Sequence, residues 1–143
     1  MRAKIAKPVS HFVKVDAVIP GCPVEPSDIE QVLAKLLLKI VQTKPANFPV
    51  CLECKKNQNE CFLQKGKLCF GPITVGGCNS TCINAGFPCL GCRGILPGAN
   101  ISAFLKTLKT QKIPLKEFQQ KRKIFLAKEL SDSQIKKLVK AKE

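Results

Sequence analysis

Residues Phe12-Val13-Lys14-Val15-Asp16-Ala17-Val18-Ile19 alternate apolar and polar positions at first and then turn continuously apolar. That pattern predicts a β-strand, buried towards its end. Pro20-Gly21-Cys22-Pro23 stops it. A helix is expected next. Ser27 suits an N-cap, Glu30 three residues later completes a capping box, and Ile29, Val32, Leu33, Leu36, Leu37, Ile40 and Val41 share one helical face. A lone strand–loop–helix unit needs neighbouring strands to cover it, and the residues before it are too few to supply them.

The pattern then changes. Between Asn47 and Gly98 neither the helical nor the strand period is visible, and eight of the nine glycines lie there. So long a stretch without regular structure fits a compact fold if metal bonds stand in for an apolar core. Helical spacing returns after Ala99. Ile101, Phe104, Leu105 and Leu108 share a face, Pro114 marks a new start ahead of Leu115, Phe118 and Phe125, and Ser131 with Gln134 forms a second capping box before Ile135, Leu138 and Val139. The expected organisation is a strand–helix unit over 1–46, an irregular cysteine-rich domain over 47–98 and a basic helical tail over 99–143. The fold class is α with much irregular structure.

Cysteine content turns this outline towards chemistry. The chain has 143 residues with nine cysteines, one histidine, no tryptophan and no tyrosine. Met1 to Val15 contains no apolar stretch of signal-peptide length, and Lys35 and Lys39 interrupt the most apolar run, so neither a secretory signal nor a membrane span is expected. A cytoplasmic, reducing compartment follows as the expectation, and clustered cysteines there read as metal ligands. The formal net charge of +14 points to an anionic partner. It is an upper figure, because each thiolate ligand removes one unit. The lysines of the tail read first as solvated helix faces. No aromatic–basic interleaving marks a nucleic-acid groove.

Eight of the cysteines divide by spacing into two groups of four: Cys51, Cys54, Cys61 and Cys69, then Cys78, Cys82, Cys89 and Cys92. The outer pairs are C-x-x-C. Haem attachment is excluded because Lys55 and Arg93 follow them instead of histidine. Thioredoxin-like redox chemistry is set aside because neither pair opens a helix in a clear βαβ pattern. Two chemistries remain. Two zinc sites of four thiolates each would use all eight thiols. Two 4Fe–4S clusters would do so as well, and the glycines between the cysteines suit the bulkier group, whose sulfurs take backbone N–H donors.

Several spaced blocks resemble one family. The run Cys61 to Cys69, Gly71-Pro72-Ile73-Thr74 to Cys78, and Pro88-Cys89-Leu90-Gly91-Cys92 resembles the cluster-binding part of the nickel–iron hydrogenase small subunit. The match is nearest to the cytosolic sulfhydrogenase delta type and the methanogen hydrogenase gamma type. Val18-Ile19-Pro20-Gly21-Cys22-Pro23, Pro49-Val50-Cys51-Leu52-Glu53-Cys54 and Gly91-Cys92-Arg93-Gly94 fit the same type. The resemblance implies a distal 4Fe–4S cluster on Cys51, Cys54, Cys61 and Cys69, where many relatives have histidine in place of Cys51. It implies a medial cluster on Cys78, Cys82, Cys89 and Cys92. Some relatives carry proline at the position of Cys82 and a 3Fe–4S cluster, so Cys82 implies a full 4Fe–4S cubane.

By the same resemblance Cys22 is the last ligand of a proximal cluster whose other ligands lie in a flavodoxin-like half absent from this sequence. One thiolate cannot hold a cubane. A second polypeptide supplies the missing half, or the chain is a truncated product, or Cys22 is idle. On its own, Cys22 reads first as a buried structural thiol, and the Pro-Gly-Cys-Pro turn with the family resemblance turns that reading towards a ligand. His11 reads as a surface residue, and Arg93 as a neighbour that offsets cluster charge or contacts a partner, or equally as an ordinary surface arginine. Glu53 and Glu60 have no second group for acid–base catalysis.

The expected function is an electron-transfer subunit with no catalytic site of its own. It would relay electrons through two 4Fe–4S clusters between a nickel–iron large subunit and a flavin or iron–sulfur partner subunit. The alternative is a zinc-stabilised, basic nucleic-acid-binding module.

Overall fold

The computed structural model describes residues 9–39 and 46–131, together with residues 7, 133 and 135. Five α-helices order the described chain: α1 (Pro26–Leu37), α2 (Val50–Lys56), α3 (Thr81–Asn84), α4 (Ile101–Thr110) and α5 (Leu115–Phe125). Short 3-10 turns lie at Val9–His11 and Gly71–Ile73.

The expected strand over residues 12–19 does not form. The Val9–His11 turn reaches into it, because Phe12 N and Val13 N both donate to Val9 O. The rest of the segment is irregular, with Val13, Val15 and Val18 exposed. Apolar alternation makes a strand only where a second strand takes its hydrogen bonds, and none of the described residues does so here.

Helix α1 appears where expected, yet its cap differs. Pro26, with its fixed φ and missing N–H, occupies the first helical turn, so the helix begins ahead of Ser27 and the box with Glu30 does not close. Glu25 holds the N-cap position and turns its carboxylate outward, accepting from Thr81 Oγ1 at 2.5 Å. The apolar face of α1 stays uncovered, with Ile29, Leu33, Leu36 and Leu37 all exposed. Ile40 and Val41 lie outside the described residues.

Polar ties fasten this helix to the rest of the molecule. Arg93 Nη1 donates to Asp28 Oδ2 at 2.5 Å and to Pro20 O at 3.3 Å, while Arg93 Nε donates to Gly76 O at 3.0 Å. Arg93 thus pins both the Gly21-Cys22-Pro23 loop and α1 against the cysteine-rich zone.

That zone carries more regular structure than its sequence predicts. Residues 73–76 form a small web: Pro49 bridges Val75, and Thr74 bridges Ile95. Val50 N donates to Thr74 O, Gly76 N to Phe48 O, Val75 N to Gly94 O and Leu96 N to Ile73 O. One short segment therefore holds the chain entering the first C-x-x-C and the chain leaving the second.

An apolar core is present as well, contrary to the expectation that metal bonds replace one. Val50, Leu68, Phe70 and Ile73 from the cysteine-rich zone are buried together with Phe104, Leu108 and Phe118 of the helical zone. Phe70, Phe104 and Phe118 pack mutually, with ring centroids 5.7–6.2 Å apart. Burying each such ring stabilises the fold by about 1.5–3 kcal/mol.

Helices α4 and α5 follow the predicted faces. Asn100 caps α4 by accepting from Ala103 N at 2.8 Å. Pro114 precedes α5, and Phe118 is buried while Phe125 sits at the edge, 38% exposed. The tail is not basic on its outer face alone: Arg122 is buried, and its Nη1 donates to Leu130 O. Ile135 is buried, its N donating to Ser131 O. Gln134, Leu138 and Val139 lie outside the described residues, so the second capping box does too.

Candidate metal centre

The first four cysteines converge. Cys51 and Cys54 occupy α2, close to its N-terminus, where the chain is fixed by the Val50 N–Thr74 O bond. The first C-x-x-C therefore does open a helix, although no βαβ unit surrounds it among the described residues. Cys61 and Cys69 come from the following turns.

Burial pushes the Cys51 thiol up from the ordinary 9.0 to about 12, and nearby Cys69, Cys54 and Cys61 add to the rise against an opposing Lys55. Cys54 rises by burial and by Cys61. Cys69 rises by burial, opposed by the backbone N–H groups of Gly71 and Cys89. Gly71 is packed against this group: a Cβ there would lie 3.1 Å from Cys51 Sγ and 3.6 Å from Cys69 Sγ.

The second four also meet. Cys78, Cys82, Cys89 and Cys92 border one cavity of about 300 Å³ together with Cys22. This volume is some ten times that of one water molecule, roughly 30 Å³. Apolar side chains, among them Ile83, Phe87, Leu90, Ile124 and Phe125, form much of its wall.

Burial raises Cys89 to about 12, against a donor bond from Gly91 N–H. Burial and then the Glu53 carboxylate raise Cys78, opposed by the Ser80 N–H and by Arg93. Burial raises Cys92, opposed by the Cys22 N–H, with Cys82 and Cys22 adding to the rise.

A recurring local device links these sulfurs to the backbone. In Cys69-Phe70-Gly71, Cys78-Asn79-Ser80 and Cys89-Leu90-Gly91, the N–H two residues on pulls the thiol at the first position down against the effect of burial. Gly91 adopts φ +85°, which lets its N–H turn back. Asn79 and Ser80 reach the left-handed region without glycine, both at φ 50°. Cys69 Sγ accepts a second bond, from Cys89 N at 3.3 Å, which joins the two groups.

N–H donors aimed at sulfur stabilise thiolate and metal-bound sulfur. Eight grouped thiols, these donors and an apolar wall fit cluster ligation. As the side chains stand, no group of three or more His, Cys, Asp or Glu residues among the described ones is arranged to hold a metal ion.

Cys22 is exposed and lies beside the second group, with its carbonyl oxygen 3.7 Å from Cys82 Sγ. The Cys22–Pro23 peptide is cis. His11 is exposed, its Nε2 2.8 Å from Lys7 Nζ, in keeping with a surface role. Glu60 pairs with Lys65 on the surface.

Glu53 is the residue that sequence reasoning passed over. It is no acid–base catalyst, yet its Oε1 accepts from Gly77 N at 2.8 Å, and its Oε2 accepts from Ser80 N at 3.2 Å and lies 3.8 Å from Cys78 Sγ. The only sequence signal is its place inside Cys51-Leu52-Glu53-Cys54.

No described helix is long and apolar enough to cross a membrane. No family model matches the chain. It is similar to the delta subunit of sulfhydrogenase 2 of Pyrococcus furiosus, 41% identical over 120 residues, which cover 83% of this chain and 50% of that protein. The G subunit of the vhu F420-non-reducing hydrogenase of Methanocaldococcus jannaschii is 35% identical over 106 residues, covering 62% of this chain and 36% of its own length. The iron-sulfur G subunit of the F420-non-reducing hydrogenase of Archaeoglobus profundus is 25% identical over 118 residues, covering 64% and 37%. The chain thus spans half or less of the length of these relatives.

Proposed function

The chain belongs to the hydrogenase subunit family that includes the delta subunit of sulfhydrogenase and the G subunits of F420-non-reducing hydrogenases, and on that premise we propose that it is an iron–sulfur electron-transfer component of a hydrogenase complex. In this reading Cys51, Cys54, Cys61 and Cys69 hold a distal 4Fe–4S cluster, and Cys78, Cys82, Cys89 and Cys92 a medial one. Cys22 serves a proximal cluster only where another chain or segment supplies the remaining ligands.

The partners in this reading are a nickel–iron large subunit on one side and a flavin or iron–sulfur subunit on the other. A cytoplasmic place is part of the same proposal. So is the division into an N-terminal unit over 1–46, a cluster-bearing domain over 47–98 and a basic helical tail over 99–143.

The observation that supports the reading is geometric: Cys78, Cys82, Cys89 and Cys92 surround one cavity, and Cys69 of the other group accepts from Cys89 N at 3.3 Å. A bound cluster supplies one-electron transfer. The chain's own residues do the rest. The 73–76 web fixes the distance between the groups, the N–H donors set sulfur basicity, and Ile83, Leu90 and Phe125 give the second group an apolar wall. No residue makes or breaks a covalent bond of a substrate. The zinc-stabilised nucleic-acid module is not favoured, because the similar proteins are hydrogenase subunits.

Reduction tests the proposal. Anaerobically purified chain treated with dithionite should lose broad visible absorption and regain it with a mild oxidant. A colourless protein with no reducible centre would contradict it.

A further inference from the structure

Glu53 belongs by sequence to the first cysteine group and by contact to the second. It follows Cys51 and precedes Cys54 on α2. Its two carboxylate oxygens are spent on the loop of Cys78, with Gly77 N at 2.8 Å, Ser80 N at 3.2 Å and Cys78 Sγ at 3.8 Å.

One turn further along α2 and at its end, Asn57 repeats the connection. Asn57 Nδ2 donates to Asn79 O at 2.9 Å and to Ser80 Oγ at 2.9 Å. Between them these two side chains hold the non-glycine pair Asn79-Ser80 in its left-handed conformation, with the Ser80 N–H donated to Glu53 Oε2.

We propose that Glu53 is a positioning residue that locks the first cysteine group to the second and sets the potential of the second cluster. This rests on the cluster reading given above. Two effects follow from the one carboxylate. By accepting from Gly77 N and Ser80 N it fixes the loop that presents Cys78, and so fixes the separation of the two clusters, on which electron transfer between them depends. By placing negative charge beside the Cys78 sulfur it disfavours the added electron, which lowers the second cluster's potential relative to a neutral neighbour. Arg93 lies on the opposing side of the balance, close to Cys78 and Cys92 and pinned by Asp28.

The test compares full chain, Glu53→Gln and Glu53→Ala, each purified anaerobically, by iron and sulfide content and by potentiometric titration followed by electron paramagnetic resonance. Cys61→Ser and Cys82→Ser assign which signal belongs to which group. Glu53→Gln keeps the shape and an oxygen acceptor but not the charge. It should retain full iron content and show the second cluster's potential raised, with the first shifted less. Glu53→Ala should lose iron from the second group, and Gln in the same place should restore it. The proposal is overturned if Gln leaves both potentials where they were, if it moves both equally, or if it loses the second group's iron outright. Wild-type chain holding zinc without sulfide would remove the cluster reading itself and this inference with it. Wild-type chain with two clusters but an inert Glu53→Gln would remove this inference alone.

Discussion

Cys82 lines the apolar cavity of the second four, its sulfur 3.7 Å from the Cys22 carbonyl oxygen. Cys82→Ser should therefore convert or weaken the second cluster and leave the first in place, read as a change in one of two resonance signals. Loss of both signals together contradicts the division into four and four.

The pH dependence also belongs to single residues. Burial holds Cys51 and Cys89 at about 12 against an ordinary 9.0. In the cluster-free chain the folded state therefore binds these protons more tightly than the unfolded state. Their contribution to stability is fully present below pH 9 and is lost as pH rises towards 12. Ligation runs the other way, since each thiol must give up its proton. The yield of reconstitution with iron and sulfide should rise as pH is raised from about 7 towards 9, followed by visible absorption. A yield that falls over that range contradicts protonated resting thiols.

A proposal of two sets of four cysteines was legible in their spacing along the chain. Glu53 was not, because its partners Gly77 and Ser80 lie 24 and 27 residues away. A carboxylate beside a cysteine carries no mark of which loop it will cap.

At the scale of elements, α1 is held by polar ties at its N-terminal end. The Asp28–Arg93 pair is mostly shielded, with the two side chains 18% and 10% exposed. The four apolar residues Ile29, Leu33, Leu36 and Leu37 contribute little to attachment because they face outward. Asp28→Asn weakens a hydrogen-bonded charge pair whose contribution is about 1.5–3 kcal/mol. It should speed proteolytic cleavage within residues 9–39 while cleavage of the cysteine-rich part keeps its rate. Equal cleavage rates in wild type and variant would show that other contacts hold α1.

Helices α4 and α5 could be read from the chain because helical periodicity is local and their faces meet a real core. The strand over residues 12–19 could not, because strand formation depends on a neighbour and not on alternation alone. The start of α1 was misread by a competition between two signals. Ser27 is a good N-cap, but Pro26 at the first turn moves the boundary two residues earlier, to an N-cap at Glu25. The 73–76 web left no periodic trace, since each of its bridges is isolated.

At the scale of the whole molecule, the cysteine-rich zone and the helical zone share one buried core. Phe70 lies immediately after Cys69 and packs on Phe104 of α4 and Phe118 of α5. Helix packing thus reaches the first thiol group through a single residue, and Leu126 reaches the second, since a Cβ on Gly91 would lie 2.8 Å from its Cδ1. The helical tail is a cover for the cysteine loops as much as a charged surface. The formal +14 falls by eight if eight thiolates are bound, to +6 before the charge of the bound metal is counted.

The central claim is that eight thiols serve two clusters, and composition tests it most directly. Iron, acid-labile sulfide and zinc should be assayed per chain after anaerobic purification. About eight iron and eight sulfide, the content of two cubanes, is the result this account predicts. About twelve of each would mean that a further chain or segment completes a third cluster at Cys22. One or two zinc per chain with no sulfide would contradict the account and return the basic, zinc-stabilised alternative to the front.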